Sequence, residues 1–191
     1  MPSLRRLPSA LLALLVAAGW PGAARASLIL ALDLPAMVGR ADQIAVVDVA
    51  AVRADWNARH DRILTTIDLT VVDGWKGGLA KGAHLTVLQP GGTVGDVTTT
   101  VDGMPQFAPG ERVLVFLHGP ATRATVVGLT QGKRPLRHDA ASGRWMVRAP
   151  DRAGADFVRP RASAAAAPIF DRRDQPLDEL RAQVQALATT Q

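Results

Sequence analysis

Residues 63–72 alternate without a break: Ile63, Thr65, Ile67, Leu69 and Val71 fall on one side, Leu64, Thr66, Asp68, Thr70 and Val72 on the other. A period of two with one apolar face predicts a half-exposed antiparallel strand. Two further runs, 44–52 and 113–117, are apolar at consecutive positions and predict strands covered on both faces. The second follows the tight turn at Pro109-Gly110 and is the candidate centre of the core, with Phe116 filling its interior. Shorter strands are expected over 85–88, 94–101, 124–129 and 145–147. The polar stretch 54–62 predicts a turn, and Gly74, Gly77 and Gly78 predict a loop around Trp75 and Lys76.

Helical spacing occurs near both ends of this β-rich stretch. Asp33 is placed to cap a short helix with Pro35 in its first turn and Leu34, Met37, Val38 and Ala41 along one face. Residues 176–187 carry Leu177, Leu180, Val184 and Leu187 at i, i+3, i+7 and i+10, an amphipathic stripe that should dock on the β-domain or on a partner. The fold class expected is therefore mainly β: one small antiparallel barrel or a sandwich of six or seven strands, with a short N-terminal helix and a C-terminal amphipathic helix. The boundaries read as a β-domain over 27–158, a flexible linker over 159–174 whose Arg, Pro and Ala give little to bury, and the helix over 175–191.

Residues 1–26 stand apart. Arg5 and Arg6 precede an apolar run over 10–18, then Gly19-Trp20-Pro21-Gly22 breaks it, and Ala24-Arg25-Ala26 puts small residues at −3 and −1 of a cut before Ser27. This is the three-part pattern of a cleaved signal peptide. The nine-residue run is about half the roughly 18 residues a spanning helix needs. A periplasmic or secreted location is expected, with no transmembrane anchor after cleavage. The absence of cysteine means that no disulfide supports the exported fold.

Processing changes the charge. Arg5, Arg6 and Arg25 leave with the first 26 residues, so 19 of the 22 basic residues remain against 17 acidic ones. The remainder is unevenly spread: 27–111 holds 6 basic and 10 acidic residues, 112–173 holds 12 and 4, and 174–191 carries a net −2. Such asymmetry marks either an anionic partner or a solvated surface. Within the basic segment Lys133, Arg134 and Arg137 cluster beside Gly132 and form the candidate anion-binding surface, with Arg112 and Arg144 as further members.

Catalytic chemistry finds little to build on. Outside residues 1–26 the serines are Ser27, Ser142 and Ser163, none in a G-x-S-x-G elbow, and Ser142 sits in a hairpin-like Asp139-Ala-Ala-Ser-Gly143 turn. His60, His84, His118 and His138 are widely separated and follow no metal-ligand spacing. Gly128-Leu-Thr-Gln-Gly132-Lys133 is one residue short of a phosphate loop, and Pro135 forbids the helix that would follow. Asp48 inside an apolar strand requires a partner or an outward position, and Glu111 is placed to cap its loop. No row of aromatics in a basic groove marks a nucleic-acid site. No catalytic, cofactor-binding or metal-binding residue is assigned.

The order of a helix ending in Ala41-Asp42, the strand IAVVDVAAV, the strand ILTTIDLTVV and Trp75-Lys76-Gly77 resembles the opening of netrin-like modules, the OB-type barrels that include tissue inhibitors of metalloproteinases. Continuing through PGGTVGDV, MPQFAPGERVLVFL and VVGLTQGK, it is similar to a group of uncharacterised exported bacterial proteins. The netrin-like resemblance implies an OB-like barrel; it does not imply protease inhibition, which uses an N-terminal cysteine that this chain lacks. The leading reading is a non-enzymatic extracytoplasmic binding module, its partner an anionic envelope component or a protein. An envelope hydrolase built from scattered Asp, Glu and His, or an assembly factor acting through the C-terminal helix, remain the alternatives.

Overall fold

A computed structural model of the chain describes residues 27–150, 155–158 and 174–189. Residues 1–26, read above as a signal peptide, and residues 159–173 of the expected linker lie outside the described residues. Twelve strands, β1–β12, and two helices are described. A short parallel pair joins β1 (Ser27–Leu30) to β11 (Ala155–Val158). Helix α1 (Leu34–Arg40) starts where the sequence places it, with the Asp33 carboxylate accepting from the Ala36 N–H at 2.8 Å.

The main sheet is built on β2 (Gln43–Trp56) and β3 (Ile63–Lys76), fourteen residues each, paired antiparallel. Along β3 the side chains from Ile63 to Val71 alternate buried and half-buried, as the period of two requires. The strand continues through Trp75 and Lys76, where a loop was expected. Trp75 is buried in the helix-covered core, and that burial holds the glycine-containing segment extended. β4 (His84–Pro90) pairs with β3, and β7 (Arg112–His118) with the other edge of β2. Beyond β7 lie β8 (Thr125–Val126), β9 (Lys133–Asp139), β10 (Arg144–Val147) and β12 (Gln175–Pro176), giving an eight-stranded sheet.

This sheet curls into an open barrel. It is not closed by a continuous ladder. The gap beyond β4 is spanned by one parallel bridge, Val87 to Ala124, and by backbone bonds from Thr86 N to Ala121 O, Leu88 N to Ala124 O and Ala124 N to Thr86 O.

The consecutive apolar runs face two separate cores. Val113, Val115 and Leu117 point into the barrel with Val47, Ile67 and Leu69. Leu114 and Phe116 point the other way, with Ile44 and Val46, against a layer formed by α1 and α2 (Leu177–Thr189). Met37 and Val38 come from α1, Leu180 and Val184 from α2, all at most 1% exposed. The apolar stripe of α2 is thus turned onto this chain's own sheet. Phe116 lies in the helix-covered core and not in the barrel interior, because adjacent strand residues alternate faces.

Three other expectations change. Residues 94–101 form no single strand: β5 (Gly92–Val94) and β6 (Val97–Thr99) make a small exposed hairpin, turned at Gly95, whose φ is 57°. Residues 124–129 give only the two-residue β8, after which Gly128 at φ 66° leads into a 3₁₀ turn over Leu129–Gly132. The segment expected to present the basic surface of Lys133, Arg134 and Arg137 is strand β9. Pro135 is accommodated where the pairing changes hands, since the β7 register ends at Val113–Pro135 and the β10 register begins at Leu136–Val147.

Candidate functional site

Because Lys133 and Arg134 are consecutive on β9, their side chains leave on opposite faces. The Lys133 ammonium is buried between the Gln106 carbonyl and the Glu111 carboxylate and lies 4.8 Å from the centre of the Phe107 ring. Arg134 is fully buried and donates from Nε to Arg148 O at 2.8 Å. Burial pulls its pKa down to about 9 against the opposing pull of Asp174. Arg137 is exposed, 3.4 Å from Asp139 and 3.6 Å from Asp174. The three do not converge on one accessible surface.

The same pattern explains the uneven charge along the chain. Arg112 forks onto Asp48 with bonds of 2.7 and 2.8 Å and sits 5.4 Å from the Trp145 ring centre. Arg144 meets Asp178 at 2.7 Å and Glu179 at 3.2 Å. Cations of the basic segment are thus matched by carboxylates of the acidic segments before and after it in sequence. Among the described residues, four cations of that segment, Arg112, Lys133, Arg137 and Arg144, are answered in this way.

The Arg112 fork holds the Asp48 carboxyl below its ordinary value, the hydrogen bond outweighing the cost of partial burial. A carboxylate with a depressed folded pKa stabilises the fold above its unfolded value, near 4, and loses that contribution as the pH falls through the folded value. Asp48→Asn is therefore expected to lower the urea midpoint at pH 7, by less than about 1 kcal/mol because the pair is substantially exposed. The difference from the parent chain should close below pH 4. Urea titrations from pH 7 to 2 check both parts.

Histidine and serine chemistry is dispersed. His118 Nδ1 stands 2.8 Å from Asp42, which also accepts from Gly119 N, and both side chains are more than half exposed. His138 packs edge-on to Trp145. The Ser142 hydroxyl donates to Asp139 at 2.6 Å, bracing the β9–β10 turn. Among the described residues no three His, Asp or Glu side chains are placed to hold a metal.

One of the concave features assembles where no sequence motif marks it. A cleft of about 400 Å³ opens where the β5–β6 hairpin folds over the ends of β2, β3 and β4. Gly91 and Gly92 make the chain's sharp departure from β4, at φ 98° and 128°. A Cβ on Gly92 would lie 2.6 Å from Thr65 Oγ1 and 2.7 Å from Ala54 Cβ, so only glycine lets the hairpin approach this closely. The Thr65 hydroxyl donates to Gly91 O at 2.6 Å and fixes the floor. The Thr93 and Thr98 hydroxyls pair across the hairpin at 2.9 Å.

Another part of the lining is the loop carrying Met104, Gln106 and Phe107, and this is where Lys133 acts. Its ammonium holds Gln106 O and Glu111, while the second Glu111 oxygen accepts from Ala108 N at 2.7 Å. Gln89 adds a second tether, donating from Nε2 to Pro105 O at 3.0 Å. That bond sets the amide's orientation and leaves Gln89 Oε1 buried with no donor among the described residues. An unanswered buried acceptor costs about 1–3 kcal/mol. Five threonines and two glutamines line the cleft, and no charged side chain does. Such a lining can hydrogen-bond a ligand but offers no group to exchange a proton near neutral pH.

No known protein-family model matches the chain, and no curated protein matches it either.

Proposed function

We propose that the chain is an exported, non-enzymatic binding module and that the cleft under the β5–β6 hairpin is its binding site. The observation that carries the reading is the lining: preformed, rich in hydroxyl and amide groups, and without a titratable side chain. Few polar groups on a rigid concave scaffold are what small-ligand sites are made of. Export is supported by Arg5-Arg6, the apolar run and Ala24-Arg25-Ala26. Among the described residues no helix is long and apolar enough to cross a membrane. The helix, strand and Trp75-Lys76-Gly77 order supports an OB-like, netrin-like relationship as part of the same proposal.

One preparation tests site and location together. Processed protein recovered from the exported fraction should begin at Ser27 and retain envelope molecules. The variant Thr99→Trp, which fills the cleft from an exposed lining position, should lose them while melting at the same temperature. Equal retention by Thr99→Trp places binding elsewhere, and recovery of the chain only with residues 1–26 attached contradicts export.

A further inference from the structure

We infer that the ligand of this cleft is a neutral oligosaccharide, an inference that rests on reading the cleft as a binding site. Three features of the lining point the same way. First, no side chain there carries charge, so a charged ligand would lose its hydration without gaining a counter-charge. Second, the hairpin contributes Thr99, which pairs with Gly92 and shares its face towards Thr65 and Ala54, and a threonine hydroxyl both donates and accepts, the match for ligand groups that do the same. Gln89, tethered by the bond from its amide to Pro105 O, lines the same cleft.

Third, Met104, Phe107, Val52 and Val101 add apolar area beside the threonines and glutamines of the lining. A pyranose has both characters at once: hydroxyls around its edge and C–H groups across its face. Lys133 over the Phe107 ring helps to hold that ring in place. The volume of about 400 Å³ falls in the range of small-ligand sites, about 300–1,000 Å³.

An extended peptide is the competing ligand, and the backbone disfavours it along β4. There the Thr86 and Leu88 N–H groups are already bonded to Ala121 O and Ala124 O. Pro90, next along that strand, has no N–H to offer. Strand addition needs a row of open backbone groups, and β4 does not supply one.

The test is amide chemical-shift titration of the processed chain with cellotetraose, fully N-acetylated chitotetraose and maltotetraose. An acidic galacturonate tetramer and a capped, uncharged Thr/Val hexapeptide serve as comparison ligands. At least one neutral tetrasaccharide should shift amides within 89–107 saturably, with a Kd that changes less than twofold on adding 0.5 M NaCl, since no ion pair is formed. Thr99→Val, which removes a hydroxyl at constant shape, should weaken that binding about tenfold. Failure of all three tetrasaccharides to shift these amides, or a tenfold loss in salt, overturns the inference. If the peptide, the acidic tetramer or soluble envelope extract shifts the same amides instead, the sugar assignment falls and the binding module stands. If the extract also leaves them unmoved, both fall.

Discussion

Phe116→Ala loses about 3–5 kcal/mol of stability, through lost burial and the cavity left behind. Phe116 is fully buried in the core shared by the outer face of the sheet and both helices, alongside Met37, Ile44, Leu180 and Val184. Thr70→Ala, at a half-buried position on the polar side of β3, should cost less than about 0.5 kcal/mol. Urea unfolding with an unchanged slope measures the two side by side. The placement of Phe116 adds a sharper expectation. Its loss should be non-additive with Leu180→Ala, in the same cluster, and additive with Ile67→Ala, in the barrel interior. Comparable midpoints for Phe116→Ala and Thr70→Ala would contradict the two-core arrangement.

Lys133→Met destabilises the chain by about 2 kcal/mol and loosens the cleft. The substitution leaves the Glu111 carboxylate, 24% exposed, without its cation, and Gln106 O without its donor. Removing one partner of a fully buried pair costs about 3–5 kcal/mol, and the residual solvent at Glu111 reduces that here. Adding Glu111→Gln should recover part of the loss, because no uncompensated charge then remains. Hydrogen exchange should quicken at the backbone amides of the 104–111 loop in the single variant, and ligand binding should weaken with it. If Lys133→Met were as stable as the parent chain, the clamp would be only a contact and not what holds this loop in place.

The strands that define the barrel were legible where pattern and environment agree. The alternation of 63–72 and the doubly apolar run of 113–117 both mark the positions they occupy, because burial on one or two faces selects those residues directly. The Asp33 cap was equally readable, since a capping carboxylate acts only on its own first turn. What the sequence could not show depends on contacts between distant segments. Lys133, Arg134 and Arg137 look like a surface cluster until β9 sends neighbours to opposite faces and Glu111, Arg148 O and Asp174 receive them. Trp75 reads as a loop residue between glycines and is extended because the helix-covered core takes its ring.

The cleft was the least legible feature. Its residues carry no motif: QPGGTV reads as a strand stop, and the threonine run over 98–100 reads as an ordinary β-former. They become a site only when Gly91 and Gly92 fold the hairpin back over Thr65 and Gln89. A threonine run at 98–100, separated by five residues from the Pro-Gly-Gly break, was the one available signal, and such runs are common in strands that bind nothing.

Chemical-shift mapping of the processed chain in soluble envelope extract tests the central claim most directly. Saturable shifts confined to the amides of 89–107 and the neighbouring ends of β2 and β3, abolished in Thr99→Trp, are the result expected. Shifts centred instead on β9 and β10 around Arg137 and Arg144, and lost in salt, would contradict it and return the binding surface to the exposed arginines.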